Sequence, residues 1–462
     1  MSSNTSSSNL TAAFVDLATY DEPEKYMYGG SEAVTYFVKK LRKSTWFSVA
    51  PTVLSISGGN PGFGASWGYK ISRAGDYLLR TWLRVQLPSV TLATAPNGWN
   101  LADCSLRWTR NLAHNLIKEI NISFNDLVAE RMDSYYLDFW AAFSIPAGKV
   151  NGYNNMIGNY AELIDPLSVA GPGASGTLPN AILNLPLPFF YARDTGISLP
   201  TAAIPYNDMV HYVSFRDVYE VLIIDNFILG LSAPAQRSNL SDPNPTLNCD
   251  MWAEYAIVSN VERSQMGKAP RDILIEQVQT APRTNFNPNN TQQTDIRFAH
   301  SVKALFFAVR NKTNTAEQSN YTSASPVPKP NGVNFFPALA SDPIAQTSLL
   351  YENTARLVNM GSDYFSLIVP YYTAVSIPRE TGYHLLSYTL DLIQTNPMGS
   401  TNYGKLTNVS LQFTSSADAV AASAGGNVQG GAATAQSYET IVCALNHNII
   451  RISGGALGFP IL

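Results

Sequence analysis

The stretch EINISFND (Glu119–Asp126) alternates apolar and polar side chains, with Ile120, Ile122 and Phe124 at every second position. Successive side chains of a β-strand point to opposite faces, so this period of two predicts a strand with one buried face. The same period predicts strands in three further stretches, which are LRTWLRVQL (Leu79–Leu87), KALFFAVRN (Lys303–Asn311) and NVSLQF (Asn408–Phe413). Their predicted buried faces carry, in order, Leu79, Leu83, Val85 and Leu87; Leu305, Phe307 and Val309; and Val409, Leu411 and Phe413.

Turn clusters separate the strands, and the chain contains 30 Gly and 28 Pro in 462 residues. The clusters are SGGNPGFG (57–64), VAGPGASG (169–176), SDPNP (241–245) and NPMGSTNYG (396–404). Many strands between such turns indicate an all-β chain of sandwiches or barrels rather than alternating β and α units. One helix is predicted as an insertion, over MDSYYLDFWAAF (Met132–Phe143), with Asp133 placed to cap it.

Charge and hydropathy exclude several classes of function. Only 14% of residues are charged and the net charge is −4, so the chain lacks the cationic field that holds nucleic acid non-specifically. The N-terminal MSSNTSSSNL has neither the basic nor the apolar region of a secretory signal. The longest apolar candidate, Tyr364–Pro378, is interrupted by Pro370 and is too short to span a bilayer. We therefore expect that the protein makes no direct contact with nucleic acid. We also expect that it is synthesised in the cytoplasm.

Other segments lack strand or helix patterning. The first dozen residues are rich in Ser, Thr and Asn and predict a mobile arm. Three long loop-like segments, Ala233–Asn248, Asn311–Pro337 and Ser415–Ser437, are predicted to face solvent as crown loops. Each half of the chain places strands, then a Pro-rich aromatic region, then a final strand, and this weak echo favours two similar domains.

Cysteine and serine residues that commonly carry chemistry are present but isolated. Cys104, Cys249 and Cys443 form no C-x-x-C pair, which favours buried free thiols in a reducing compartment over a zinc, redox or disulfide site. Ser66 stands in a G-x-S-x-G sequence, Gly64–Gly68. A nucleophile elbow needs a strand before the serine and a helix after it, whereas here a Gly-rich segment precedes and a strand pattern follows. We interpret this sequence as a turn.

The histidines form no H-E-x-x-H motif and no i, i+4 pair, so each is expected to be a structural residue with a satisfied hydrogen bond. They are His114, His211, His300, His384 and His447. The sequence therefore predicts no enzyme, and no catalytic, cofactor-binding or metal-ligating residue is assigned.

One basic cluster, Lys39, Lys40, Arg42 and Lys43, is followed by the aromatic pair WF at 46–47. Two interpretations stay open. The cluster is either a solvated segment or a contact with an anionic surface such as lipid headgroups, to which each basic residue contributes about 1 kcal/mol.

Five stretches, distributed from end to end, resemble the major capsid proteins of iridoviruses. They are Phe14–Val38, Gly152–Asn159, Leu185–Asp208, Gly399–Asn408 and the C-terminal ALNHNIIRISGGALGFPIL (Ala444–Leu462). The resemblance implies two consecutive eight-stranded jelly-roll barrels with short helical insertions and long crown loops. The expected division is an N-terminal arm (1–32), a first jelly roll (33–217) and a second jelly roll (218–462).

The resemblance also implies how the protein functions. Three copies are expected to form a homotrimeric, pseudo-hexagonal capsomer, and capsomers to tile an icosahedral shell around an inner membrane. The expected partners are other copies of the chain, minor capsid proteins and the nearby viral membrane, and the expected location is the virion. A jelly-roll sandwich also permits glycan binding through its loops, as an attachment protein. The mass of the assembly separates the two functions, because a shell protein is expected to be a stable trimer.

Overall fold

The computed structural model describes residues 5–96, 98–268, 270–324, 341–425 and 435–460. The chain divides into two compact units, Met1–Trp46 and Phe47–Leu462. The first unit contains helix α1 (Thr5–Ala18) and helix α2 (Glu22–Met27). Asp21 caps α2, because its side chain accepts a hydrogen bond from the backbone of Glu22.

The expected lack of helix patterning in the first dozen residues is wrong from Thr5 onward, because α1 begins there. The mobility of this arm stays a prediction, and residues 1–4 lie outside the described residues. The physical reason is local. Leu10, Ala12, Ala13 and Leu17 are strong helix formers, and together they outweigh the preference of the preceding Ser and Thr residues for turns.

The second unit is a pair of β-sandwiches. The strands of its first part are β1 (Phe47–Val53), β2 (Ser55–Ser57), β3 (Ser66–Lys70), β4 (Tyr77–Leu87), β5 (Val90–Thr91), β6 (Cys104–Trp108), β7 (Ile117–Phe124), β8 (Leu127–Met132), β9 (Thr177–Leu178), β10 (Ala181–Leu187), β11 (Met209–Phe215), β12 (Leu222–Asn226), β13 (Leu231–Pro234) and β14 (Asn248–Val258).

The strands of the second part are β15 (Arg271–Thr280), β16 (Thr284–Phe286), β17 (Gln292–Ile296), β18 (Ser301–Asn311), β19 (Ile344–Tyr351), β20 (Thr354–Gly361), β21 (His384–Ser387), β22 (Thr401–Asn402), β23 (Val409–Ser415), β24 (Tyr438–Ser453) and β25 (Ala456–Gly458). The α-helices of this unit are α3 (Leu112–Leu116), α4 (Ser134–Ser144), α5 (Val150–Ile157), α6 (Ala161–Ile164), α7 (Pro166–Ala170), α8 (Phe190–Arg193), α9 (Asn260–Met266), α10 (Val369–Thr373) and α11 (Ala417–Ser423), and a π-helical turn spans Tyr364–Ile368.

The two sandwiches have the same strand order. In the first, the sheet β1-β14-β4-β10 packs on the sheet β2-β3-β11-β7-β8, and in the second, β15-β24-β18-β21 packs on β17-β23-β19-β20. Strand β4 therefore corresponds to β18, β1 to β15, and the hairpin β7–β8 to the hairpin β19–β20. The prediction of two similar all-β domains is confirmed, but the described sheets stay open as sandwiches and do not close into barrels.

The alternating stretches form strands, as predicted. Ile120, Ile122 and Phe124 are buried on β7, and Asn125 and Asp126 adopt positive φ angles of 49° and 65° in the tight turn to β8. Two consecutive residues with positive φ match the right-handed twist of a hairpin, and Asn and Asp tolerate that conformation best after Gly.

Strand β4 departs from the prediction at one end. Leu78, not Leu79, is fully buried there, while Leu83, Val85 and Leu87 are buried as predicted. The pairing register between β4 and β14 shifts at Glu254/Tyr255. A bulge of this kind inserts one residue and exchanges the faces of the strand beyond it.

Candidate functional site

The two sandwiches meet along helix α4, which follows β8. The side chain of Asp133 accepts a hydrogen bond of 2.8 Å from the backbone of Tyr136, so the predicted helix and its cap are confirmed. Three rings of this segment surround Phe306 of the second sandwich, at centroid distances of 6.0 Å (Tyr136), 6.0 Å (Phe139) and 5.8 Å (Phe143). This aromatic cluster joins the sandwiches through an apolar contact.

Strand β18 is buried on both faces because of this contact. Leu305, Phe307 and Val309 face the core of the second sandwich, as predicted. Ala304, Phe306 and Ala308 on the opposite face belong to the core shared with the first sandwich. The prediction of a single buried face is therefore wrong for β18, because α4 covers its other face.

The loop at 311–324 corrects the prediction of a solvent-facing crown. From Ala316 to Ala324 every residue is buried, whereas 325–337 lie outside the described residues. Polar side chains of this loop pair with the first sandwich: Tyr135 Oη donates to Gln318 Oε1 at 3.0 Å, and Asn115 Nδ2 donates to Ser319 Oγ at 2.6 Å. Burial of polar groups costs little when each is hydrogen-bonded, and a polar composition therefore does not require exposure.

The other crown-loop predictions are also wrong in part. Ala233–Asn248 begins with the end of β13 and buries Leu240 and Leu247. Ser415–Ser437 contains α11, which buries Ala419 and Ala422, and residues 426–434 lie outside the described residues. Small side chains pack closely, so the low content of bulky apolar residues did not prevent burial.

Asp138 on α4 is the centre of a hydrogen-bond network between the sandwiches. Its carboxylate accepts bonds from His114 Nδ1 (2.7 Å), Asn111 Nδ2 (3.1 Å) and Tyr321 Oη (2.9 Å). Ser319 of the buried loop donates to the same carboxylate. A buried carboxylate needs several donors to replace its lost hydration, and here both sandwiches supply them.

A buried ionic triad lies beside this network. Arg107 Nε on β6 donates to Asp225 Oδ2 on β12 at 2.5 Å, and Arg107 Nη1 lies 3.5 Å from Glu317 Oε1 of the buried loop. All three side chains are almost completely buried. Burial raises the pKa of Asp225 to about 6 against the opposing effect of Arg107, so Asp225 is ionised at neutral pH.

A second ionic cluster joins α8 to the second sandwich. Arg193 pairs with Glu276 of β15, Lys303 Nζ of β18 lies 2.6 Å from the same carboxylate, and Arg193 Nη2 donates to Tyr136 Oη at 2.9 Å. Glu130 lies 3.8 Å from Arg193, and burial raises its pKa to about 7. Charged groups from both sandwiches thus neutralise one another where water is excluded.

Sequence reasoning missed these charged residues. Two of them occur inside apolar stretches, Arg107 in CSLRW and Asp225 in LIIDN. A charge within an apolar strand is the available signal, because such a residue is rarely buried unless it is paired. No signal in the sequence indicates which charge pairs with which.

Three of the five histidines are hydrogen-bonded as predicted, whereas the side chain of His300 makes no hydrogen bond to the described residues. His114 bonds Asp138 and Tyr153, His211 bonds Tyr191, and His384 bonds Ser362 and Asp342. Neither ring nitrogen of His447 has a hydrogen-bond partner among the described residues, so the expectation of a satisfied bond is wrong for His447. Half-buried on β24, it lies near the Arg193 cluster, and burial lowers its pKa.

His211 predicts a pH dependence of stability. The ring is fully buried 4.8 Å from that of Phe189, and burial lowers its pKa to about 3. Because the unfolded side chain titrates near 6.5, folding favours the neutral form, and this contribution is complete above pH 6.5 and lost as the pH falls toward 3. We expect the contribution of His211 to the free energy of unfolding to fall by about 2 kcal/mol between pH 7 and pH 5.

Denaturant unfolding at both pH values measures this loss. The variant His211→Gln should flatten the pH dependence by about that amount, whereas Tyr191→Phe, which keeps the histidine, should not. An unchanged slope in His211→Gln would contradict the assignment to His211.

Ser66 and the cysteines also have plain structural roles. Ser66 begins β3 and donates to Ser214 Oγ at 2.9 Å, so a strand follows it, not the helix of a nucleophile elbow. Cys104, Cys249 and Cys443 are buried free thiols, as predicted. Burial raises the pKa of Cys104 to about 11 and that of Cys249 to about 12, which keeps both protonated at neutral pH.

The basic cluster Lys39, Lys40, Arg42 and Lys43 lies in the first unit, and all four residues are exposed. Within the described ranges, no helix is long and apolar enough to cross a membrane. Within the apolar segment Tyr364–Pro378, residues 364–373 form the π-helical turn and α10.

Comparison with known proteins decides the family. The profile of "Major capsid protein N-terminus" matches residues 35–258, and that of "Large eukaryotic DNA virus major capsid protein" matches residues 262–458. The major capsid protein of Costelytra zealandica iridescent virus is 56% identical, with 99% of each chain covered, and that of Invertebrate iridescent virus 3 is 55% identical, with 99% of this chain and 100% of the relative covered. This chain belongs to the iridovirus major capsid proteins.

The solved structures agree with the fold. The structure titled "PBCV-1 virus capsid, quasi-atomic model" matches with a TM-score of 0.72 at 19% identity, covering 93% of this chain and 100% of the other. The predicted double jelly roll is thereby confirmed as the fold class, with its two jelly rolls as open sandwiches. As a major capsid protein of a large DNA virus, the chain is a structural component of the capsid of the virion.

Proposed function

We propose that three copies of this major capsid protein form a homotrimeric, pseudo-hexagonal capsomer, and that these capsomers tile an icosahedral shell around an inner membrane. The observation that supports this proposal is the buried contact between the two sandwiches. An aromatic cluster, a buried loop and two ionic clusters hold them in one orientation. Three such rigid pairs supply six similar sandwiches, and six similar units tile a flat lattice.

The mass of the assembly tests the trimer. Light scattering of the purified full chain should give three times 50.3 kDa at micromolar concentration and physiological salt. Obligate interfaces bury on the order of 2,000 Å² or more, so dilution to nanomolar concentration should leave the mass unchanged. A monodisperse monomer would contradict the proposal. Electron microscopy of the concentrated trimer should then show hexagonal arrays.

We further propose domain limits that differ from the expected division at 217/218. Strand β14 lies between β1 and β4, so the pairing supports a first jelly roll that extends to Val258. The second then begins near β15. Limited proteolysis tests these limits. Cleavage between 259 and 270 should produce two folded fragments that stay bound to each other, whereas cleavage at 217/218 should unfold the first sheet.

We also propose that the first unit faces the inner membrane and the minor capsid proteins, and that synthesis takes place in the host cytoplasm. The exposed cluster Lys39, Lys40, Arg42 and Lys43 supports the membrane side of this proposal. Co-sedimentation with vesicles tests it. Binding to phosphatidylserine vesicles should exceed binding to phosphatidylcholine vesicles, and replacement of the four residues by Gln should abolish the difference.

A further inference from the structure

A cavity rich in cationic side chains lies between the two sandwiches. Its volume of about 330 Å³ is at the lower end of the range of roughly 300–1,000 Å³ that small-molecule sites occupy. Two carboxylates, Glu220 and Glu439, line it together with five cations, which are Lys118, Arg216, Arg283, Arg310 and Lys312. We call it the basic cavity, because it has three more positive than negative side chains in a protein whose net charge is −4.

Three guanidinium groups of the basic cavity surround one aromatic ring. The ring is that of Tyr135 on α4, and the guanidinium carbons lie 5.7 Å (Arg216), 4.6 Å (Arg283) and 5.6 Å (Arg310) from its centroid. An aromatic face attracts each cation, but the three like charges repel one another. Burial lowers the pKa of Arg216, and the nearby Arg310 and Arg283 lower it further.

Arg216 has no carboxylate partner of its own. It is almost fully buried, and its Nη1 donates to the carbonyl oxygens of Asn115 (2.8 Å) and Ile117 (2.9 Å). Its Nη2 donates to Ser134 Oγ at 2.9 Å. Asp133 attracts Arg216 without forming an ion pair with it. Because a buried charge is rarely left unpaired, a counter-ion is missing at Arg216 among the described residues.

The other two arginines share a single carboxylate. Arg310 Nη1 lies 2.8 Å and Arg283 Nη1 lies 3.7 Å from the same Oε1 of Glu439. The Nε of Arg310 is buried and has no hydrogen-bond acceptor within the described part of the chain. The protein thus supplies one negative charge where three guanidinium groups meet.

We propose that the basic cavity binds a small solute that carries two linked phosphate groups, and that this solute bridges the two sandwiches. The planar guanidinium donates two parallel hydrogen bonds to phosphate oxygens and has no acceptor. A phosphate group carries about 1.5 to 2 negative charges at pH 7, so two linked groups match the three excess positive charges. Arg216 follows β11 of the first sandwich and Arg310 lies on β18 of the second, so one ligand contacts both.

Isothermal titration calorimetry of the wild-type full chain tests the ligand. Inorganic diphosphate and ADP are the two probes, and at least one should bind with one site per chain at physiological salt. Tighter binding of ADP would identify a nucleoside diphosphate as the source of the two phosphate groups, and otherwise the source is free diphosphate. Inorganic phosphate should bind at least about tenfold more weakly, a difference of about 1.4 kcal/mol. Equal affinity for inorganic phosphate would contradict the requirement for two groups.

Substitution of the two partly exposed cations tests the site. Arg283→Gln/Lys312→Gln should weaken diphosphate binding by about tenfold or more, because it removes two charges that line the cavity. The matched control, Arg356→Gln/Lys405→Gln, removes one exposed arginine and one exposed lysine of the second sandwich outside the cavity. This control should bind like the wild type. An equal loss in both variants would assign the binding to net charge and overturn the proposal.

Arginine modification tests the site without any substitution. Phenylglyoxal should modify Arg283 and Arg356 of the wild-type chain, since both are exposed. Saturating diphosphate should protect Arg283 and leave Arg356 reactive, as measured by peptide mass spectrometry. Equal reactivity of Arg283 with and without diphosphate would overturn the proposal even if the double variant fails to fold.

This inference stands apart from the proposed capsomer. A trimer that binds neither diphosphate nor ADP would contradict only the ligand, whereas a monomer that binds one of them would contradict only the trimer. Because the ligand would contact both sandwiches of the folded chain, it should also raise the denaturation midpoint as its concentration increases. A midpoint that saturating diphosphate leaves unchanged would contradict the bridging role.

Discussion

Replacing Asp225 by Asn is expected to lower the free energy of unfolding by about 3–5 kcal/mol, because it removes the carboxylate that pairs with Arg107. The buried guanidinium would then lose its nearer carboxylate and keep Glu317, 3.5 Å from its Nη1. Asparagine has nearly the same shape, so the loss measures charge and hydrogen bonding rather than packing. Denaturant unfolding at pH 7.5 and fixed protein concentration gives the change.

A matched control lies on the surface of the second sandwich. Arg451 forms two bonds of 2.7 Å with Asp272, but both side chains are about half exposed. Asp272→Asn should therefore barely alter the denaturation midpoint, since water replaces the lost partner. Equal midpoints for Asp225→Asn and Asp272→Asn would contradict a stabilising role of the buried triad. Replacing all three triad residues by apolar ones, as in Arg107→Met/Asp225→Leu/Glu317→Met, should recover most of the loss.

The strands were predictable because each half-buried strand imposes its own periodicity on the sequence. On β7, every second residue is apolar (Ile120, Ile122 and Phe124), and this pattern does not depend on what packs on the other face. Likewise, Asp133 precedes α4 as a local cap. Such signals act over a few residues and need no knowledge of the tertiary structure.

The contact between the sandwiches was not predictable by the same reasoning. It brings together distant residues such as Asp138 and Ser319, which are 181 positions apart, and no local period in the sequence indicates that pairing. The loop at 311–324 has the composition of an exposed loop, and its burial depends on partners elsewhere in the chain. One signal was available, because Ala304–Val309 is continuously apolar, and a strand buried on both faces is typical of such a run.

Replacing Phe306 by Ala is expected to cost about 3–5 kcal/mol of stability, the usual range for truncating a buried Phe. The side chain is fully buried, and rings of Tyr136, Phe139 and Phe143 surround it. The adjacent Phe307 supplies the control, since it is equally buried but faces the core of the second sandwich, 5.7 Å from Phe413. Phe307→Ala should cost a similar amount for the same reason.

The two variants should differ in how they unfold. Phe306→Ala removes the centre of the contact between sandwiches, so calorimetry should resolve two transitions, or a calorimetric enthalpy above the van't Hoff value. Phe307→Ala weakens one sandwich from within and leaves the contact in place, so its unfolding should stay a single transition at a lower temperature. Equal cooperativity in the two variants would mean that the ionic clusters and the buried loop couple the sandwiches without the aromatic cluster. A loss of cooperativity confined to Phe306→Ala would instead show that the packing of α4 on β18 makes the sandwich pair rigid. The proposed six-part capsomer depends on that rigidity.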